Sequence, residues 1–192
     1  PTRSELHMWG LLAVGALFIG GIVLYNGLVK LREQADAAWA DIYVQLKRRH
    51  DLIPNLVETV KGYAAHERKT LEAVVTARSS AMTAKSPAEK GQAEGMLAGA
   101  LKSLFALAEA YPDLKAAAVV RDLQGTLSES EDSIQNARRY YNAVVRDFNT
   151  KIQQVPSNLI ANSFNFRERE FFEVPEGEKA VPNVSFSDGT AS

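Results

Sequence analysis

Cysteine is absent from this 192-residue chain, which excludes disulfides, thiolate metal sites, cysteine nucleophiles and palmitoylation together. Histidine is scarce. His7, His50 and His66 are the only three, and they show neither HExxH spacing nor the paired Glu-x-x-His pattern of di-iron bundles. No metal and no cofactor is therefore expected. There is no glycine-rich phosphate loop of Walker type and no nucleophile elbow, so the common nucleotide and hydrolase signatures are missing. Charge of one sign is lacking as well: 22 Lys and Arg stand against 23 Asp and Glu, for a net charge of −1. Nucleic acid normally requires a strongly basic face, so it is not an expected partner. Finally, no run alternates with strand period over a length able to build a sheet.

What is present begins with 18 uncharged residues from Met8 to Tyr25, extended to 22 residues before the first charge at Lys30. At ~1.5 Å per residue this run spans a ~30 Å hydrocarbon layer as one helix. It exceeds the apolar core of a secretory signal, no small-x-small cleavage site follows it, and helical periodicity resumes beyond it, so a permanent anchor is expected. Ala13, Ala16, Gly20 and Gly27 fall on one face of the anchor, a seam through which two such helices can approach closely in lipid. Arg3 lies on one side of the run, and Lys30, Arg32, Lys47, Arg48 and Arg49 on the other. Positive charge near a span prefers the cytoplasm, which places the amino terminus outside and the larger domain inside.

Beyond the anchor the fold class is all-α. Apolar residues recur at helical spacing from Leu31 through Ile42, Leu46, Ile53, Val60 and Leu71 to Val74, predicting one long helix to about Ala84. Pro54 removes a backbone donor and crowds the preceding turn, predicting a kink or break near residues 50 to 54. Ser86, Pro87 and Glu89 spell a helix start, with a capping oxygen, a proline at the first helical position and an acid three residues after the cap. Met96, Leu97, Ala100, Leu101, Leu104, Phe105 and Ala108 form that helix's inner side, and Pro112 ends it. From Val120 to Val155 a three-four alternation puts apolar residues at ten of eleven positions, against a composition 46% hydrophobic. Helix is the secure assignment there, with Ser130 the single polar intruder, expected to bond the preceding turn.

Pro156 stops the long helix, a short turn of helix spans Asn158 to Asn162, and an extended tail follows. Phe164, Phe166, Phe171 and Phe172 are expected to pin the tail, while Pro175, Pro182 and Gly189 mark a mobile end. The organisation is therefore a short segment 1–7, a transmembrane helix 8–29, a bundle of three or four antiparallel helices over 30–162, and a tail 163–192.

Two groups of residues look chemical. Arg49, counted from Ile42 and Leu46, projects toward the inner face beside Arg48 and His50, and an unpaired guanidinium there is costly. Glu129, Glu131 and Asp132 on the long helix are the candidate partners. The favoured reading is a buried ion pair that fixes helix register; the sharper one is an anion site for a lipid head group or a carboxylate. Arg138, Arg139, Tyr140, Tyr141 and Asn142 form the second group, in which Tyr141 belongs to the core with its hydroxyl bonded and the arginines to a solvated face.

Ala38-Trp39, the run VQLKRRHDLIPNLVETVKGY from Val44 to Tyr63, His66-Glu67, Tyr111-Pro112-Asp113-Leu114, Arg138 to Asn142, Pro156-Ser157-Asn158 and Phe171-Phe172 closely resemble the bacterial LemA family. The departures are His50, where the family usually has Tyr, and Ser163-Phe164-Asn165-Phe166 in place of a glycine-containing phenylalanine pair. The resemblance covers nearly the whole chain. It implies a single-pass protein of the bacterial inner membrane with a short outer N-terminus and a cytoplasmic helical domain, and it implies no established enzyme activity. A magnetosome-associated relative points toward organising membrane assemblies. The expected function is then a non-enzymatic, self-associating scaffold or adaptor that contacts membrane lipid and other membrane proteins. A lipid-binding or membrane-shaping module using Lys30, Arg32 and Lys47 is the second expectation, and an anion-binding enzyme using Arg49 and His66 the third.

Overall fold

The computed structural model describes residues 3–173. The tail segment with Pro175, Pro182 and Gly189 lies outside them. Six helices follow one another: α1 (Arg3–Tyr63), α2 (Arg68–Thr83), α3 (Pro87–Ala110), α4 (Pro112–Ala116), α5 (Ala118–Gln153) and α6 (Ser157–Ser163). The described residues contain no strand, and the all-α class holds.

Helix α1 is 61 residues long, ~90 Å from end to end. Its amino-terminal third is long and apolar enough to cross a membrane and packs against nothing in its most apolar stretch. The same helix then becomes the central post of the bundle, burying Leu28, Ala35, Ala38, Ile42, Leu46, Ile53, Leu56 and Val60. Helix α5 runs antiparallel along it. Phe148 shares a cluster with Leu28, Tyr141 packs tilted against Trp39 with centroids 5.3 Å apart, and Glu131 meets Arg49, so height falls along one helix as it rises along the other.

The expected helix to Ala84 is in fact two, separated by a reversal at residues 64–67. Gly62 weakens the last turn of α1, and Ala64 still bonds Val60 before the chain turns, with Glu67 N–H donating to Ala64 C=O. Leu71, Val74, Ala77 and Ala81 of α2 therefore fold back onto the same apolar cluster that α1 faces. The hydrophobic period crosses the turn unchanged because both helices serve one core. Helix α3 reverses again: Lys90 reaches Ala81 at one end and Tyr111 donates to Glu67 at the other. Four helices thus form an up-down-up-down head, from which α1 and α5 extend as a two-helix stalk toward the apolar end.

Helix α3 starts as the motif predicts, with Ser86 Oγ accepting from Glu89 N–H and the Glu89 carboxylate accepting from Ser86 N–H. The backbone N–H groups of Lys85 and Ser86, both donating to it, hold the Glu89 carboxyl below its ordinary range. Ser86→Ala is expected to lower stability by about 1 kcal/mol, read by thermal unfolding of the full chain in detergent. No change would mean that tertiary packing alone starts this helix. Met96, expected inside, is 58% exposed, since Leu97, Leu101 and Leu104 already define the buried stripe.

The tail leaves α6 and climbs back along the stalk. Asn149 holds Arg169 through both its N–H and C=O at 2.9 Å each, and Asn142 holds Phe172 the same way at 2.9 and 3.0 Å. The spacings match: seven helical residues rise ~10 Å, as do three extended ones. Phe166 and Phe172 are buried and Phe171 half-buried, whereas Phe164 is 60% exposed while lying against Tyr25.

Candidate functional site

Three apolar clusters occupy the bundle, one in the head and two along the stalk, and a layer of charge separates the head cluster from the stalk. On α1 the layer falls between Leu46 and Ile53, on α5 between Leu127 and Ile134. Arg49 is buried there. Its Nη1 donates to Glu131 Oε2 at 2.8 Å and lies 3.8 Å from Glu94 Oε2. Glu94 is buried too, and its other oxygen meets His50 Nε2 at 2.7 Å.

Of the three acids expected to meet Arg49, Glu131 does so; Glu129 and Asp132 are exposed, as is Arg48. The reason is helical phase. Glu131 follows buried Leu127 by four residues, whereas positions 129 and 132 face outward. Glu94 and His50 complete the layer; the sequence places His50 beside Arg49 without giving it a role, and Glu94 is not among the expected partners. Glu94 lies one helical step before Leu97, Leu101 and Leu104, so extending that stripe backwards marks it as inward-facing. Ser130 also belongs to the layer, but its buried Oγ finds no partner among the described residues instead of bonding the preceding turn.

Two further cations serve backbone. Buried Lys90 donates to Ala81 C=O at 2.9 Å, satisfying a carbonyl in the last turn of α2, where a cation is favoured by the helix dipole. Arg78 Nε donates to His50 C=O at 2.8 Å. That carbonyl is the one whose helical partner would be the N–H of residue 54, which proline lacks. Helix α1 accordingly passes through Pro54 without the expected break. Arg78→Met is expected to lower stability by about 1 to 2 kcal/mol through the orphaned carbonyl. The loss should shrink when Pro54→Ala supplies the missing donor, and a double-mutant cycle with zero coupling refutes the pairing.

The remaining sequence candidates are dispersed. His66 is exposed in the turn after α1, about 20 Å along the axis from Arg49, so the expected Arg49/His66 combination is not assembled. Arg49 Nη1 already faces two carboxylates, which an incoming anion would have to displace. No group of three His, Cys, Asp or Glu suited to a metal occurs among the described residues. Tyr141 is buried, its hydroxyl donating to Glu170 C=O at 2.9 Å, and burial raises its phenol above the ordinary value. Arg138 and Arg139 bond Gln135 and Asn136 along their own helix. Ala13, Ala16 and Gly20 are exposed and Gly27 half-exposed; nothing lies within 4 Å of a Cβ built on Gly20 or Gly27.

Protein LemA of Metamycoplasma hominis is 27% identical, across 96% of this chain and 86% of its own length. Magnetosome protein MamQ 2 of Paramagnetospirillum magneticum is 25% identical, across 93% and 77%. Magnetosome protein MamQ of Magnetospirillum gryphiswaldense is 25% identical, across 83% and 69%. The LemA family profile matches residues 38–186, a span that takes in the polar layer, the α2–α3 hairpin and the strapped tail. With most of its length inside that match, the chain belongs to the LemA family.

Proposed function

We propose that this protein is a membrane-anchored, non-enzymatic scaffold that self-associates and presents its helical head to other membrane or envelope proteins of the bacterial inner membrane, with the head on the cytoplasmic side. The unbroken α1 carries this reading: one rod is both the apolar span and the post of the bundle, so assembly in the membrane positions the heads. The Arg49–Glu131 bond serves register, because sliding α1 against α5 would leave the buried guanidinium without its hydrogen-bonded carboxylate. Two relatives are named as magnetosome proteins, which supports a role in membrane assemblies.

Self-association is read by crosslinking in the native membrane followed by mass spectrometry. Links between copies are expected through the face of Ala13, Ala16, Gly20 and Gly27. Gly20→Leu and Gly27→Leu should abolish them without unfolding a single chain, since neither position has a neighbour within 4 Å and close helix approach in lipid requires small residues. A monomer under all conditions, with no crosslinked neighbour, removes the scaffold reading.

A further inference from the structure

The stalk ends inside the span. Helix α6 packs onto α1 at Gly21, where Ile160 Cδ1 lies 3.9 Å from a Cβ built on the glycine, and Tyr25 holds Phe164 and Phe166 with centroids 4.7 and 5.8 Å away. Gly21 lies eight residues before Val29, the last residue of the charge-free run, which is ~12 Å on the membrane side of it. The part of the run left free of this packing, Met8 to Gly20, is only ~20 Å long, short of the ~30 Å hydrocarbon layer. The corner formed by the end of α5 and α6 is therefore level with the lipid.

That corner turns apolar side chains outward. Val155 is 80%, Leu159 63% and Phe164 60% exposed, an unfavourable arrangement in water and a favourable one at a lipid boundary. Ile22 and Val23, between the Gly21 and Tyr25 contacts on α1, are exposed as well. Exposed Asn162 and Ser163 in the same helix suit the head-group boundary rather than the bilayer centre. The geometry points to a second lipid contact: the α5–α6 corner enters the head-group and upper acyl region, and Leu159 and Phe164 are its anchors. This rests on the reading that the apolar run of α1 crosses the bilayer.

The absence of cysteine makes the test direct. Leu159→Cys, Phe164→Cys, Phe18→Cys in the free part of the span and Met96→Cys on the head are labelled singly with an environment-sensitive fluorophore. The full chain is then reconstituted into phosphatidylcholine and phosphatidylglycerol vesicles with and without brominated acyl chains. Probes at 159 and 164 are expected to shift to the blue and lose intensity to bromine as the probe at 18 does, while the probe at 96 does neither. Quenching at 18 but not at 159 and 164 overturns the corner contact and leaves the anchor standing. A blue shift at 159 and 164 without quenching overturns it in favour of burial against a second protein copy. No quenching at 18 overturns the anchor, and the corner contact with it.

Discussion

Arg49→Met is expected to cost about 3 to 5 kcal/mol of stability, because it leaves the buried Glu94 carboxylate facing apolar surroundings without its cation. Glu131→Gln should cost under about 1 kcal/mol: the side chain is 39% exposed, solvent screens the pair, and the amide still offers an oxygen to Arg49. The contrast separates a buried charge from a rim charge on the same guanidinium. Arg49→Met combined with Glu94→Gln is expected to recover more than half the loss, since the uncompensated charge is gone and the amide keeps a hydrogen-bond partner for His50 Nε2. Denaturant unfolding of the full chain in detergent reads all three. A loss below about 1 kcal/mol for Arg49→Met would show that the layer is hydrated and does not act as a buried network.

Gly91→Ala is expected to release the upper part of the tail. A Cβ at this position would lie 1.9 Å from Glu173 O and 2.8 Å from its carbonyl carbon, and no rotamer moves a Cβ. Either α3 shifts, disturbing Lys90 and Glu94 on the same helix, or the strap lifts. The strap holds less. Phe172 contributes roughly 2 kcal/mol by burial, and the two Asn142 bonds about 1 kcal/mol each, whereas moving α3 uncovers Leu97, Leu101 and Leu104. Lifting exposes Trp39, whose ring lies 5.9 Å from Phe172. In a Trp9→Phe background the Trp39 emission should move to the red, and amide exchange should accelerate at 171–173 while the Asn149 clamp at Arg169 persists. Unchanged emission and exchange would mean that α3 yields first.

Local chemistry made some of this architecture legible. Ser86, Pro87 and Glu89 are a complete helix start because capping depends on three residues and nothing distant. The α5 alternation could be followed residue by residue because a helix buried along one stripe must keep its phase from Val120 to Ile152. The turn at 64–67 was hidden for the opposite reason: when a helix doubles back onto its own core, the apolar period before and after the turn belongs to the same surface. The break allowed for at Pro54 does not occur because the freed carbonyl is met by Arg78, more than twenty residues downstream, and side-chain donors from another helix leave no trace in local propensity. The polar layer was half visible. Arg49 announced itself as a charge on an inner phase, and by the same test Glu94 on α3 qualifies; the acids beside α5's stripe drew attention because three stood close together.

The proposed anchor also sets a mechanical ratio. From Val29 to the α1 terminus at Tyr63 is ~50 Å of uninterrupted coil, so a change of about 10° in the inclination of the bilayer segment swings the distal tip sideways by about 9 Å. Under the proposed anchoring, a change in bilayer thickness that alters this tilt is converted into displacement at the far end of the molecule.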